Sequence, residues 1–225
     1  MHKLNLIIVF LMCSILLPDA YEPLDINFLK KPTTNTPKKE TKNKNTKKSS
    51  LPTFEDAIKD FEPIEGLFDF YWSKEKNIFY MAIDSSQLDV VYLANLTRKS
   101  GDAMYYDSGS MLWEFPFIFQ RLANSIQLIH INTDFRADDS SAIHRSIENN
   151  FSNSIISVGT IISTPHLETN KFLINANELF LKDLTYVSQH RKGTYQFDKK
   201  NSSISDLQSY PENSEIQINA HFVSR

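Results

Sequence analysis

GLFDFYWSKEKNIFYMAI, residues 66–83, contains two aromatic-rich runs separated by the polar segment 73–77. Aromatic and β-branched residues favour strands, and a short polar connection between two such runs is typical of a β-hairpin. The stretch therefore predicts two antiparallel strands joined by a turn. A chain built on hairpins of this kind is expected to be mainly β.

Most of the chain after residue 50 continues as short strand-like runs separated by turns. These further predicted strands cover residues 112–121, 125–131, 154–163, 171–175 and 194–198. The first two are predicted to form a second hairpin that turns at Ala123 and Asn124. The sequence contains no internal repeat and no alternation of strands with long helices, so an antiparallel arrangement is favoured.

The chain ends in another alternating segment, SYPENSEIQINAHFVSR, residues 209–225. A turn around Pro211 precedes apolar residues at every second position from Ile216 to Phe222. This alternation is typical of a half-buried strand. Because the sequence stops directly after it, we expect this strand to lie at a sheet edge, with unpaired backbone groups.

Two short helices are predicted among the strands. Residues 84–98 begin with cap-type residues and place apolar side chains at helical spacing. Residues 138–151 begin with Asp138 and Asp139, which we expect to act as N-caps. Residues 54–61 have the spacing of one or two helical turns. The predicted fold is mainly β (α+β), with antiparallel hairpins forming a sheet or sandwich and two short helices.

The N-terminus carries the apolar run LIIVFLMCSILL, residues 6–17. Its length is short for a membrane span and fits a signal-peptide core, so residues 1–20 are predicted to be a signal peptide cleaved near Ala20. Lipid modification of Cys13 and an uncleaved N-terminal anchor stay open as alternatives. All three interpretations place the body outside the cytoplasm, secreted or periplasmic, and no transmembrane span is expected after cleavage.

Charge divides the chain into a linker and a body. Residues 21–51 are predicted to be a disordered linker rich in Lys, Thr and Asn, because residues 30–50 contain no aliphatic or aromatic side chain. Residues 52–225 are the predicted β-rich accessory domain, for which truncation at the C-terminal edge is left open. After residue 50 the chain has 15 basic and 23 acidic residues. This net-acidic body disfavours nucleic acid as a partner.

The sequence offers little for catalysis. It has neither an HExxH motif nor a GxSxG elbow, and Cys13 is its single cysteine, so we assign no catalytic residue, no metal ligand and no cofactor. His130 and His221 lie on predicted strands, where alternation points them away from the apolar face, and we expect them to be solvated. His144 and Glu148 are spaced for a surface ion pair on a helix.

One pair of exposed aromatic residues is a candidate binding surface. Tyr105 and Tyr106 lie in the polar loop GDAMYYDSGS, residues 101–110. Aromatic rings in a polar loop can stack on sugars or peptides. The two tyrosines are therefore the binding candidates in this sequence.

Five segments in order resemble one known family. The series resembles the N-terminal, non-catalytic domain of unknown function of exported bacterial zinc-dependent metalloproteases, and the similarity spans residues 53–222. The segments are EGLFDFYWSKEKNIFYMAIDSSQLD, FRADDSSAIHRSIENNFSNSIIS, INANELFLKDL, TYQFDKKNSSI and SYPENSEIQINAHF. The residues that match the family pattern are Asp84, Gln87, Leu88, Asp89, Arg136, Ala137, Ser146, Phe151, Ser154, Ile155, Tyr210, Pro211, Asn213, Glu215 and Ile216.

The resemblance carries an expectation about function. In that family a catalytic domain with HExxH and a third histidine ligand follows, and this sequence has no matching positions. The resemblance implies an accessory or prodomain-like module that is not itself an enzyme, a truncated product or a fragment, with zinc only in the missing catalytic domain. Its implied partner is that domain or another extracytoplasmic protein. The alternative is a stand-alone extracytoplasmic module that binds a peptide or a glycan.

Overall fold

A computed structural model describes residues 2–10, 51–101, 107–190 and 195–224. The described residues form strands β1 His2–Phe10, β2 Glu62–Ile64, β3 Asp69–Ser73, β4 Ile78–Ile83, β5 Tyr92–Arg98, β6 Met111–Leu122, β7 Ser125–His130, β8 Ser154–Thr160, β9 Phe172–Asn175, β10 Tyr195–Phe197, β11 Ser203–Ser209 and β12 Ser214–Ser224. Their α-helices are α1 Phe54–Ile58, α2 His144–Asn150, α3 Ala176–Phe180 and α4 Val187–His190. Two 3₁₀ helices cover Ser85–Gln87 and Lys199–Asn201.

The strands form two antiparallel sheets. The larger sheet has the order β10-β12-β1-β5-β6-β7-β8, and β11 also pairs with β12. The smaller sheet has the order β2-β3-β4-β9. The predicted mainly β, antiparallel fold is confirmed.

An aromatic core joins the two sheets. Phe70 on β3 and Phe79 on β4 are fully buried, as are Phe117 and Phe119 on β6. Phe68, just before β3, places its ring edge-on to Phe119 at a centroid distance of 5.5 Å. Each fully buried ring contributes about 1.5–3 kcal/mol relative to an exposed one, so this cluster is a main source of stability.

Both predicted hairpins are confirmed. Strands β3 and β4 pair from Asp69↔Ala82 to Ser73↔Ile78. Strands β6 and β7 meet at Leu122↔Ser125, so Ala123 and Asn124 form a two-residue turn as expected. Ala123 adopts a positive φ of 53°, a value that tight hairpin turns require.

The predicted helix over residues 84–98 is wrong. Asp84 and Gln87 form a capping box around a single 3₁₀ turn, which does not continue. The chain then enters β5, where burial alternates strictly from Tyr92 to Arg98. The cap-type residues do form a cap, but only for one turn. The apolar/polar alternation of the following residues, with a period of two, determines the structure that follows.

The second predicted helix is confirmed as α2, but its cap is not where we expected it. Helix α2 begins at His144, and Ile143 at the N-cap position makes no side-chain capping bond. Asp138 instead accepts hydrogen bonds from the backbone N–H and the hydroxyl of Ser140, at 3.0 and 2.6 Å. It closes a turn ahead of the helix, because an aspartate can bond its own backbone two residues on.

The last strand is not an edge strand, which corrects the expectation from the sequence. β12 pairs with β1 on one side and with β10 and β11 on the other. Residues 2–10 of the predicted signal peptide form β1. Ala20, Cys13 and most of the predicted linker lie outside the described residues, so cleavage near Ala20 and the linker assignment stay predictions.

Two asparagines tie the first hairpin to the rest of the fold. Asn77, with a φ of 51°, donates from Nδ2 to the Ser202 carbonyl at 3.2 Å and accepts from the Ile204 N–H at 3.1 Å. Asn177 donates to the Asn77 carbonyl at 3.0 Å and accepts from the Phe79 N–H at 2.8 Å. The β3–β4 turn is thereby fixed to both β11 and α3.

The Asn77→Ala variant is expected to lower the free energy of unfolding by about 1–3 kcal/mol, because two hydrogen bonds to backbone groups are lost and alanine disfavours a positive φ. Urea unfolding of the full chain measures the change. Glu75→Ala, an exposed position in the same turn, is the matched control and should stay near wild type. Equal stability of the two variants would contradict the role of Asn77.

Candidate functional site: an exposed apolar surface on α2 and β8

Four large apolar side chains are exposed around α2 and the start of β8. We name Phe135, Ile143, Phe151 and Ile155 the α2–β8 surface; their exposed fractions are 48%, 64%, 40% and 58%. The rings of Phe135 and Phe151 are stacked, with centroids 3.9 Å apart and an interplanar angle of 18°. Single exposed apolar residues are ordinary, whereas an exposed stacked pair of rings is a candidate interaction surface.

The spacing of residues on α2 explains why part of this surface faces outward together. Ile143, Ile147 and Phe151 are four residues apart, so they lie on one face of the helix. The Ile147 N–H bonds to the Ile143 carbonyl, and the Phe151 N–H bonds to the Ile147 carbonyl, at 3.0 and 2.8 Å. Two consecutive helical hydrogen bonds therefore connect Ile143 to Phe151, and both of these side chains are exposed.

Asn132 and Asn153 connect the two ends of the segment between β7 and β8 that contains α2. The Asn132 N–H donates to Asn153 Oδ1 at 2.9 Å, and Asn132 Nδ2 donates to the Phe151 carbonyl at 3.4 Å. These bonds join the end of β7 to the start of β8. Phe151 is therefore positioned by a hydrogen bond to its own carbonyl and does not depend on the stacking with Phe135 alone.

Ile155 continues an apolar row across the larger sheet. Ile118 on β6 lies opposite Ile129 on β7, which lies opposite Ile155 on β8. Directly opposite residues share a face, and this face is the one turned away from Phe117 and Phe119. Ile129 is buried and Ile118 is half-buried, so Ile155 is the exposed end of the row.

The backbone edge of β8 is capped by side chains. Within the described residues, β8 is the terminal strand of its sheet. The Thr160 N–H donates to Glu178 Oε2 at 2.8 Å, and Lys182 Nζ donates to the Ile156 carbonyl at 2.8 Å. Burial lowers the pKa of Lys182, and the nearby charge of Lys199 adds to this. These caps protect the edge from strand pairing, so a partner meets side chains here.

The predicted ion pair on α2 is confirmed. His144 Nε2 lies 3.3 Å from Glu148 Oε1, and His144 Nδ1 lies 3.6 Å from Asp139 Oδ1. The carboxylates of Asp139 and Glu148 are largely exposed. The α2–β8 surface thus has a charged rim beside its apolar centre, which is the usual composition of a protein–protein interface.

His130 is not solvated on an outer face, which corrects the expectation. It lies opposite Phe117 in the β6–β7 ladder, on the core side. Its ring packs edge-on against Trp113 and Phe115 at centroid distances of 5.3 and 5.2 Å. Burial lowers the pKa of His130, and the charge of Asp134 opposes that shift only in part.

His221 is also not solvated: it is only 8% exposed. Its Nδ1 lies 3.2 Å from Asp198 Oδ2, and its backbone N–H donates to Ser202 Oγ at 3.0 Å. The Ser202 hydroxyl donates to the Asp198 carbonyl at 2.8 Å. Ser202, His221 and Asp198 meet here, but the Ser202 hydroxyl donates its proton to the backbone and not to the imidazole. These hydrogen bonds are therefore structural and do not form a catalytic triad.

The tyrosine candidates, Tyr105 and Tyr106, lie outside the described residues. The structure does describe where their loop is attached. Arg98 Nε donates to the Asp107 carbonyl at 2.8 Å, and the Gly109 N–H donates to the Arg98 carbonyl at 2.6 Å. Arg98 also donates to the hydroxyl of Ser110. The C-terminal end of the loop is therefore held by β5.

The described residues contain no group suited to hold a metal ion, and a small cavity lies in their core. In residues 2–10, 51–101, 107–190 and 195–224, no group of three or more His, Cys, Asp or Glu is placed to hold a metal ion. A cavity of about 10 Å³ in the core is lined by Phe68, Phe70, Phe117, Phe119, Phe180, Ser214 and Ile216, and it has room for about one water molecule. No described helix is long and apolar enough to cross a membrane.

Comparison with known families places the α2–β8 surface inside a defined region. A family described as a domain of unknown function, DUF5117, matches residues 109–223, about half of the chain. The chain belongs to the DUF5117 family. The DUF5117 region begins just before β6 and ends within β12, so it contains all of the α2–β8 surface and β9 of the smaller sheet. No curated protein and no solved structure matches the chain.

The environment of His130 predicts a pH dependence of stability. Because its folded-state pKa lies below 6.5, the unfolded chain binds the proton more readily than the folded chain. The contribution of His130 is therefore complete above pH 6.5 and is lost as the pH falls from 6.5 towards the folded-state pKa. Unfolding free energies between pH 7.5 and 5 should fall less steeply for His130→Gln than for wild type.

His190→Gln is the control, because His190 is exposed on α4. It should retain the wild-type slope of stability against pH. A slope that His130→Gln leaves unchanged would show that His130 does not contribute in this range.

Proposed function

We propose that this chain is a non-catalytic accessory module of an exported zinc metalloprotease-like protein. Its task is to bind the peptidase domain of that protein through the α2–β8 surface. The proposal rests on the stacked pair Phe135 and Phe151, which is exposed, as are Ile143 and Ile155. The predicted signal at residues 1–20 supports export, to the periplasm or the outside of the cell.

The chemistry of the surface favours a protein partner. Aromatic residues near the centre of an interface commonly supply most of its binding energy, within a rim of polar residues. Phe135 and Phe151 already present stacked rings, so little side-chain freedom is lost when a partner covers them. The capped edge of β8 directs such a partner onto the side chains, since Glu178 and Lys182 already occupy backbone groups at that edge.

The resemblance to the accessory domain includes this region. The segment FRADDSSAIHRSIENNFSNSIIS covers residues 135–157 and holds all four members of the α2–β8 surface. In the resembled proteins an HExxH domain supplies the zinc and the catalysis. The hydroxyl of Ser202 is directed to a backbone carbonyl and His221 is buried, which argues against hydrolysis at this cluster.

The test measures binding of the purified full chain to a recombinant HExxH domain from an exported protease of the resembled family. Calorimetry should detect a saturable complex. The double variant Phe135→Ser, Phe151→Ser should bind at least about 10-fold more weakly, because truncation of two interface aromatics commonly costs more than about 1.4 kcal/mol. The chain alone, with added zinc, should not hydrolyse casein.

Leu167→Ser is the matched control, since Leu167 is a 95% exposed apolar residue outside the α2–β8 surface. It should bind like wild type, and circular dichroism should show that all variants are folded. Failure of the wild-type chain to bind the peptidase domain, or equal weakening by Leu167→Ser, would refute the docking role. Casein hydrolysis abolished by a chelator would refute the non-catalytic role.

A further inference from the structure

Strand β1 lies between β5 and β12 and joins two parts of the larger sheet. It pairs with β12 from His2↔Phe222 to Phe10↔Ser214, and with β5 from Leu6↔Arg98 to Val9↔Asn95. In the described part of the chain, β5 and β12 each pair with β1 and are not neighbours of one another. Two strand spacings of about 4.8 Å separate them. The position of β1 is therefore a slot one strand wide.

The slot has an apolar side and a polar side. Position 8 of β1 lies opposite Ile216 on β12 and Leu96 on β5, both of which are fully buried. Position 7 lies opposite Gln217 and Thr97 on the other face. Because opposite residues share a face, the slot accepts a strand with apolar residues at every second position.

The sequence of β1 matches this requirement. HKLNLIIVF has Leu4, Leu6, Ile8 and Phe10 at alternate positions. Their partners on β12 are Ala220, Ile218, Ile216 and Ser214, and all four partners are buried. The register therefore pairs the apolar positions of the β1 sequence with the buried positions of β12.

A polar contact spans the slot on the opposite face. Lys99, directly after β5, donates from Nζ to Gln217 Oε1 on β12 at 3.4 Å. The same face of the slot has Thr97 and Asn95 on β5 and Gln217 on β12. Substitution at positions 7 and 9 of the inserted strand should therefore matter less than substitution at positions 6 and 8.

The same residues belong to the segment that the sequence predicts to be a cleaved signal. Removal of residues 1–20 would leave the facing backbone groups of β5 and β12 without their partners from β1. Buried backbone N–H and C=O groups are almost always paired. The processed chain would thus have a strand-sized site in the middle of its sheet, which is a different situation from the capped outer edge at β8.

We propose that the slot between β5 and β12 is a strand-acceptor site. β1 occupies it in the full chain, and after removal of the N-terminal segment an extended segment of the exported partner, with apolar residues at every second position, takes its place. Addition of a strand by main-chain hydrogen bonds, with alternate side-chain positions giving selectivity, is an established mode of peptide recognition. Only the identity of the partner rests on the proposed function.

The covalent connection between β1 and the rest of the chain explains why β1 stays in the slot until the chain is cut. Residues 11–50 connect β1 to the body of the same chain, and a covalent connection of this kind keeps a segment at an effective concentration up to about millimolar. A free peptide at micromolar concentration cannot compete with it. Cutting the chain between β1 and residue 51 removes this advantage and makes exchange possible.

The test begins with the folded full chain carrying Cys13→Ser and a recognition site for a specific protease inserted after residue 40. The chain is cut, unfolded in urea and refolded with a fluorescein-labelled peptide of residues 2–10. Fluorescence anisotropy should show saturable binding at least about 10-fold tighter than to the uncut chain treated in the same way. A peptide with Leu6→Thr and Ile8→Thr should bind at least about 10-fold more weakly.

A peptide with Ile7→Thr and Val9→Thr is the matched control, because these positions lie on the polar side of the slot, and it should bind like the parent peptide. Equal binding of the two substituted peptides would overturn the proposal. The proposal would also be overturned if the cut chain regained its circular dichroism spectrum but bound no peptide. The peptide assay does not involve the α2–β8 surface, so it should be unaffected by Phe135→Ser, and its failure would leave the docking test intact.

Discussion

The larger sheet depends on the backbone pairing of β12. This strand bonds β1 along one side and β10 and β11 along the other. Its side chains at Ser214, Ile216, Ile218, Ala220 and Phe222 are all buried, so β12 contributes both to the hydrogen-bonded ladder and to the core. A strand with partners on both sides has no exposed edge, and β12 joins β1, from the other end of the chain, to β10 and β11.

The sequence predicted the hairpins because their signals are local. The aromatic runs around residues 74–77 and the two-residue turn at Ala123 need no information from elsewhere in the chain. The pairing of β12 depends on contacts with β1, β10 and β11. Alternation in the sequence does not indicate how many strands a segment pairs with, so the predicted edge position is wrong.

Tertiary contacts also determine the elements that the sequence predicts wrongly or does not predict. Asp84 and Gln87 form a true capping box, yet the fold continues as β5. Strand β11 has the polar sequence SISDLQS, and its pairing with β12 and the bond from Ile204 to Asn77 hold it in place. His221 alternates outward as expected, and the Asp198–Ser202 segment then buries it. These outcomes depend on contacts between distant segments.

The two proposed binding regions are at different places in the larger sheet and would bind partners through different interactions. At β8 the backbone edge is capped by Glu178 and Lys182, so the adjacent apolar side chains are the available contacts. Between β5 and β12 the contacts are main-chain hydrogen bonds with an apolar repeat of two. The exposed members of the α2–β8 surface could be recognised only after the structure showed which apolar residues remain uncovered, because their spacing in sequence also fits an ordinary buried helix face.

Amide hydrogen exchange along β12 in the full chain measures whether this strand is paired on both sides. Successive amides of an antiparallel strand point alternately to its two sides. If β12 is paired on both sides, every amide from 215 to 222 should be strongly protected, including those directed to β1. Exchange of every second amide at the rate of an unstructured chain would show that β12 has a free edge and is not paired on both sides.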